Sequence, residues 1–414
     1  MTLLIFYTNC IYCQSKFNKV RVPFVHSLKN TSHKLLKSIN QQKVLYLIFS
    51  EGSISRVELA HKTGLSQQTV TNIVNRLLED GLVFEGEHMP LEAGSGRKRV
   101  ALSVNSSSYY AIGIEIAGKY IRGCVYNFRN ERLSSTMRSV DKYKSIDNLL
   151  QLLHEVIDEL LEQAPELAKT KGIGISVQGL ADSKQGILLR VPGLGFLQLP
   201  LKSLLEEKYE LPVYLENDAN LLAVNENMNG CLSGSTDNIT LKFDYGIGGA
   251  IFSDTRLISG SSFVAGEFGH YKAFTGPEAY PCHCGGTGCL TTLLSISGLQ
   301  FNTGKTLEAF QQAVRAGDES MILLHDTMIK TMALAISNLV TFLNPERVLL
   351  TGRVLESWGS DFVSKLKETL MESVPMTSRG VELLYMEQMP DETLLAAGLV
   401  LKHVFEIPLD ALSL

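Results

Sequence analysis

No run of about 18 apolar residues occurs in the chain, so none of it reads as a membrane-spanning helix and no membrane insertion is expected. Export is not expected either: the apolar start LLIF has no leading positive charge, and Lys16 and Lys19 come after it. A disulfide framework is not expected, since the cysteines number 7, an odd count, with three crowded into residues 282–289. That usage fits metal ligation or free thiols in a reducing cytoplasm. No short repeat is present. Residues 1–30 contain no acid and no sustained hydrophobic period, and the Cys10-x-x-Cys13 pair there has no second pair nearby. They are expected to form a poorly ordered tail or an upstream extension. What remains is ordinary for a folded protein. At 414 residues, 45% hydrophobic and 20% charged, disorder over most of the length is excluded, and about 150 residues per domain suggests two or three domains.

The net charge of −5 is unevenly spread. Residues 1–100 hold 13 Lys and Arg against 7 Asp and Glu, which is +6 and leaves −11 for the other 314. A basic front on an acidic body suggests an N-terminal contact with nucleic acid.

Residues 32–50 show apolar positions at helical spacing (Leu35, Leu36, Ile39, Val44, Leu47, Ile48). Ser55 with Glu58 three residues on predicts a capping box opening a second helix, and Gly64 a left-handed stop. Ser66 caps a third helix, with Val70, Ile73, Val74, Leu77 and Leu78 on one face and Gly81 as its end. Its other face shows Gln67, Gln68, Thr71, Asn72, Asn75 and Arg76, side chains suited to base edges and phosphates in a major groove. Two strand-like runs come next, around Gly94-Ser95-Gly96, with Arg97, Lys98 and Arg99 beside it. The order predicts a winged helix-turn-helix, with Ser66 to Arg76 meeting double-stranded DNA and Arg97 and Lys98 meeting its backbone.

From Tyr110 strands and helices alternate, with glycine turns at strand ends. Two apolar strands flank Gly118, and a helix over roughly 146–167 leads to a strand at 172–177. Further strands are predicted at 211–217, in a hairpin at 239–252, and at 347–352. This is an α/β pattern, in which two similar lobes would fit.

The strongest chemical signal is His270 followed by CHCGGTGC at 282–289. Cys282, Cys284 and Cys289 with His270 make a tetrahedral set for one structural zinc per chain, with no open position for hydrolysis. His283 is an alternative ligand that would more readily point away. ENDAN at 216–220 ends an apolar strand with a carboxylate flanked by amides, which can hold a sugar and take a hydroxyl proton. Gly246, Gly248 and Gly249 form a turn that lets backbone N–H groups approach phosphate, or one that is purely structural.

Together ENDAN, GEFGH at 266–270 and CHCGGTGC resemble the ROK family of repressors and sugar kinases, with NPERVLLTG at 344–352 a looser match; the resemblance covers residues 32–405. It implies a winged helix-turn-helix followed by a two-lobed actin-like ATPase fold with a zinc loop and a sugar cleft. The family's sugar contacts fall on Asn217, Asp218, Glu267 and His270, and Asp218 is the base in its kinases. His270 would then link metal and sugar. Four segments depart from the family. Thr291 replaces a glutamate, and Pro192-Gly193-Leu194 replaces a Pro-Asn-Leu turn. Glu115 to Lys119 replace the phosphate-binding Asp-x-Gly-Gly-Thr. Asp244 and Tyr245 precede the second glycine loop, where an anion would repel triphosphate. Losing phosphate positioning removes most of what drives phosphoryl transfer.

The expected organisation is a tail (1–30), a winged helix-turn-helix (31–103), a first lobe (104–226, completed by 380–414) and a second lobe (227–379) with the zinc loop and a dimerisation surface. The expected function is a non-enzymatic transcriptional regulator of carbohydrate genes, a repressor. It would be a homodimer or tetramer on operator DNA, answering to a sugar, a sugar phosphate or a phosphotransferase-system protein. The alternative is a sugar kinase with an added helix-turn-helix.

Overall fold

The computed structural model describes residues 33–89, 99–140, 143 and 145–405. The tail 1–30 and the wing residues Arg97 and Lys98 lie outside the described residues. The described chain forms two compact units. One runs to Asn217 and resumes at Asp391; the other is Asp218–Pro390.

The first unit opens with α1 (His33–Glu51), α2 (Arg56–Thr63) and α3 (Gln67–Glu79), then an antiparallel pair, β1 (Val83–Met89) and β2 (Arg99–Val104). The capping box is present: Ser55 Oγ accepts the Glu58 N–H at 3.3 Å, and the Glu58 carboxylate accepts the Ser55 N–H at 2.8 Å. Gly64 ends α2 at φ 72°, a left-handed conformation that glycine adopts without a Cβ penalty. Ser66 caps α3, whose Val70, Ile73, Val74 and Leu77 are buried. Ile54 bridges Leu102 and ties the base of the hairpin to the helices.

The helices and hairpin share a core with residues C-terminal to them. Val44, Leu47, Ile48, Val70, Val74 and Leu102 belong to one buried cluster with Ala111, Tyr126, Phe128, Val400 and Leu401. Phe49 stacks on Phe128 at 5.5 Å and lies 5.2 Å from Phe405.

The rest of the first unit is a five-stranded sheet. Its strands are β3 (Tyr110–Ile116), β4 (Tyr120–Asn127), β5 (Arg132–Ser139), β6 (Thr170–Val177) and β10 (Val213–Asn217), in the order β10-β6-β3-β4-β5. Between them lie α4 (Ile146–Gln163), α5 (Leu201–Tyr209) and a small sheet of β7 (Leu180–Asp182), β8 (Ile187–Arg190) and β9 (Phe196–Leu199). The helix expected to reach 167 stops at Gln163. Ala164, before Pro165, is extended at ψ 131°, as the proline ring demands of the residue ahead of it.

The second unit contains α6 (Asp218–Asn229), β11 (Asn238–Phe243), β12 (Ile247–Ser253), β13 (Arg256–Leu257), α7 (Thr291–Leu294), α8 (Ile296–Thr303) and α9 (Leu307–Arg315). It continues with α10 (Glu319–Leu343), β14 (Arg347–Thr351), α11 (Arg353–Ser373) and β15 (Glu382–Tyr385). Its sheet order is β13-β12-β11-β14-β15. The two sheets share a topology. In each, three antiparallel strands come first, and two parallel strands are then added beside the first of the three. This duplicated arrangement is the actin-like fold.

The units exchange their terminal helices. α6 follows β10 but belongs to the second unit, where Ala223 packs against Ala250 and Phe252. The last helix, α12 (Glu392–Phe405), follows β15 but belongs to the first unit. The division therefore falls at Asn217/Asp218 and Pro390/Asp391, not at 226/227 and 379/380. An element's place in the chain does not reveal which sheet buries its apolar face. Gly113 and Gly174 make room for α12: a Cβ on either would collide with the backbone carbonyls of Thr393 and Ala396.

Candidate functional site

α3 presents a solvent face. Gln67, Gln68, Asn72 and Asn75 are exposed, and Thr71 and Arg76 are half-buried beside them. The Gln68 amide donates to Asn72 Oδ1 at 3.1 Å, and Arg76 Nε to the Asn72 carbonyl at 3.2 Å. Ser66 is committed to the cap: its Oγ accepts the Thr69 N–H at 3.1 Å. The helix N-terminus and this row of amides form one exposed edge, the arrangement with which such helices enter a major groove.

In the second unit His270, Cys282, Cys284 and Cys289 converge, with one ligand atom from each lying within 4.8 Å of the other three. Cys282 Sγ is 3.7 Å from His270 Nδ1, and Cys284 Sγ is 3.7 Å from Cys289 Sγ. The loop is shaped by its glycines: Gly285 and Gly288 have φ of 85° and 68°. Gly288 also sits where a Cβ would strike the Phe274 carbonyl. The Cys282 N–H donates to the Gly286 carbonyl at 2.8 Å, and Lys272 donates to Cys289 Sγ at 2.8 Å. Burial pushes the Cys282 thiol up to about 12, while the Gly286 backbone N–H holds Cys284 below the usual thiol range. Three sulfurs this close need a cation to become thiolates together, so the donor set fits a metal ion. His283 is exposed, its Nδ1 3.9 Å from Cys282 Sγ.

The residues assigned to a sugar fall into pairs. Glu267 Oε2 lies 3.7 Å from His270 Nε2, so His270 turns one ring nitrogen to the sulfurs and the other to a carboxylate. Asn217 ends β10, and its amide donates to the Gly179 carbonyl at 2.7 Å. Asp218 starts α6, and its Oδ2 accepts from Lys242 Nζ at 2.7 Å. β12 backs both segments of the second unit: Gly248 lies against Ala219 of α6, and Gly249 against the Gly266 carbonyl. Thr291, in place of a glutamate, is buried and donates to Ser295 Oγ at 3.0 Å.

The two segments that differ from a phosphate-binding pattern are both tied down. Glu115 is buried; it accepts from Tyr120 Oη at 2.7 Å and from Arg122 at 2.9 Å, and Arg122 continues to Asp391 at 3.0 Å. Asp244 is buried; its Oδ1 accepts the Tyr245 N–H at 2.8 Å and faces Arg353 Nε at 3.3 Å, and that guanidinium lies 4.9 Å over the Tyr245 ring.

Lys242, Arg122, Lys272 and Arg353 escaped the sequence reading. Only Lys242 left a local trace. In NITLKF, alternation puts Ile239, Leu241 and Phe243 into the core, so a lysine at the polar beat of a buried strand needs a partner.

A capped, polar-faced α3 ahead of a duplicated α/β body with a Cys₃His cluster defines a DNA-binding transcriptional regulator of the winged-helix type. A family model, ROK family, matches residues 111–383, and a winged helix-turn-helix DNA-binding model matches residues 37–83. The chain belongs to the ROK family. It is similar to the xylose repressor of Caldicellulosiruptor bescii, at 30% identity over 82% of this chain and 89% of that one. It is also similar to the transcriptional dual regulator NagC of Escherichia coli K12, at 23% identity over 78% of this chain and 82% of NagC. Among solved structures, it shares the fold of a ROK family transcriptional regulator described as a homologue of the E. coli Mlc protein. The TM-score is 0.73 at 23% identity, over 89% of this chain and 97% of that one.

Proposed function

We propose that this protein represses carbohydrate uptake or metabolism genes and is released from, or fixed on, its operator by a sugar or sugar phosphate bound near Asp218, Glu267 and His270. The observation that carries the reading is α3: a capped helix whose exposed row of Gln67, Gln68, Asn72 and Asn75 has no part in the core. Two copies of it, from a homodimer or from dimers within a tetramer, would enter successive major grooves about 34–36 Å apart. The name of the relative from Caldicellulosiruptor bescii, a xylose repressor, supports a sugar as the signal.

The protein acts in the cytoplasm and is not a kinase. What supports this is that Glu115 and Asp244, in the two segments that differ from the family's phosphate-binding pattern, are each buried against an arginine. His270, Cys282, Cys284 and Cys289 hold one zinc. Zinc–sulfur bonds of about 2.3 Å in a tetrahedron put sulfurs about 3.8 Å apart; Cys284 and Cys289 stand at 3.7 Å. The ion's role is structural: it clamps the loop and orients His270.

The test pairs two measurements on the full chain: ATP turnover against a panel of D-xylose, D-glucose, N-acetyl-D-glucosamine and their phosphate esters, and binding to the chain's own upstream DNA with and without each. The expected result is no sugar-dependent turnover and a DNA affinity that one sugar changes. Turnover on the order of 1 per second, abolished in Asp218→Asn, would overturn it.

A further inference from the structure

β11 runs in the middle of its sheet, between β12 and β14. Its odd positions, Ile239, Leu241 and Phe243, enter the core. Its even positions meet α6: Asn238 exchanges amide hydrogen bonds with Asn227 at 2.7 and 3.2 Å, and Lys242 reaches Asp218 at 2.7 Å. The Lys242 side chain is 4% exposed and that of Asp218 15%. An ammonium this deep is costly unless a counter-ion meets it, and here the counter-ion is the first residue of α6. The helix N-terminus adds a second attraction for the same carboxylate. A central strand on one side and a helix start on the other leave the carboxylate little freedom.

Resting on the reading of Asp218 as a ligand contact, we propose that Lys242 is a positioning residue. It holds Asp218 as a fixed, charge-balanced acceptor for a hydroxyl group of an uncharged sugar. The chemistry comes from the pair. To act as a base, Asp218 would have to take the hydroxyl's proton beside a buried ammonium, which favours the charged carboxylate over the protonated one. To accept a hydrogen bond, it need change nothing. The pair therefore suits recognition of a hydroxyl group and opposes its deprotonation. A phosphate ester at that hydroxyl would remove the donor and set an anion against the carboxylate. An amine would add a second cation beside Lys242. The ligand class is a sugar with a free hydroxyl at this point.

Two arms test the proposal. In the first, crystal structures of the parent, Lys242→Met and Lys242→Arg are solved without sugar. The Asp218 carboxylate should leave its position in Lys242→Met and keep it in Lys242→Arg; an unchanged Asp218 in Lys242→Met overturns the proposal. In the second, the full-length protein is titrated calorimetrically with D-xylose, D-glucose and N-acetyl-D-glucosamine. The sugar bound by the parent should bind Lys242→Met at least about tenfold more weakly, and Lys242→Arg should recover most of the loss. The double variant Lys242→Met/Asp218→Asn, which removes both charges at nearly constant volume and so preserves the fold, should bind no worse than Asp218→Asn alone. Losses that add, or a Lys242→Met that binds like the parent, overturn it. A parent that binds none of the three sugars instead overturns the sugar reading of the site, and the first arm still decides the role of Lys242.

Discussion

His325 lies against Trp358 and Phe362, with ring centroids 4.5 and 5.5 Å away, and burial lowers its pKa against the pull of Asp326. The neutral ring is the folded form. An unfolded histidine gains its proton at about pH 6.5, so stability falls as pH drops below that value and stops falling once the folded ring is also protonated. Between pH 7 and 5 the melting temperature should drop, and His325→Phe should flatten that slope. An unchanged slope would place the acid sensitivity elsewhere. Cysteine ligands carry a different expectation. Cys284→Ser leaves a poorer donor, and metal analysis should then find less than one zinc per chain. Because thiolates must form, metal uptake should release protons and weaken in acid. With the ion gone, His270 loses a fixed partner, so the response of DNA binding to sugar should fall although no sugar contact was changed. A metal-free protein that still responds fully would reduce the loop to a clasp.

Two kinds of DNA contact are expected, one from α3 and one from Arg97 and Lys98. Gln68→Ala or Asn72→Ala should alter which operator sequence is preferred, by about 1–3 kcal/mol for each bidentate pair lost. Arg97→Ala with Lys98→Ala should weaken binding to all sequences alike and reduce the salt slope by about 1 per lost phosphate contact. Operator titrations at several salt concentrations separate the two; equal affinity in all variants would remove this helix and wing from the interface. At α12 the constraint is steric. Its backbone lies on the two glycines of the sheet, so Gly113→Ala must push the helix away or distort β3. Destabilisation of about 3 kcal/mol or more is expected. A denaturant midpoint equal to the parent's would show that the helix can shift at no cost.

The duplicated topology gives each exchanged helix the same kind of anchor. Asp218 at the start of α6 meets Lys242 of the second sheet, and Asp391, just before α12, meets Arg122 of the first. α12 also packs with α1 in the cluster that holds the winged helix together. A fragment of residues 31–103 alone would expose Tyr46 and Phe49, which pack on Phe128 and Phe405. It should unfold at lower denaturant than the same segment does in the whole chain, by circular dichroism; equal stability would show that the shared core adds nothing. Linkage binds the whole molecule as well. If a sugar changes operator affinity by some factor, operator DNA must change sugar affinity by that factor. Calorimetry with and without DNA checks it, and unequal factors would mean that the sugar acts at a second place.

Much of this was legible in the residues. The Ser55–Glu58 box, the Gly64 stop, the Ser66 cap and the three cysteines of 282–289 depend on spacings of a few residues within one helix or loop, where backbone geometry leaves little choice. The end of α4 was equally local, set by Pro165, and could have been read more strictly. The pairing of Asp218 with Lys242, 24 residues on, and of Arg122 with Asp391, 269 residues on, could not be read in this way. Both depend on strand register and on which sheet receives a helix. A helix with apolar residues, such as α6 or α12, shows that it has surface to bury, but not against what. That choice is made by the packing of whole sheets, where the same apolar stripe fits more than one surface until glycines such as Gly113 and Gly174 admit one helix and buried charges select its start.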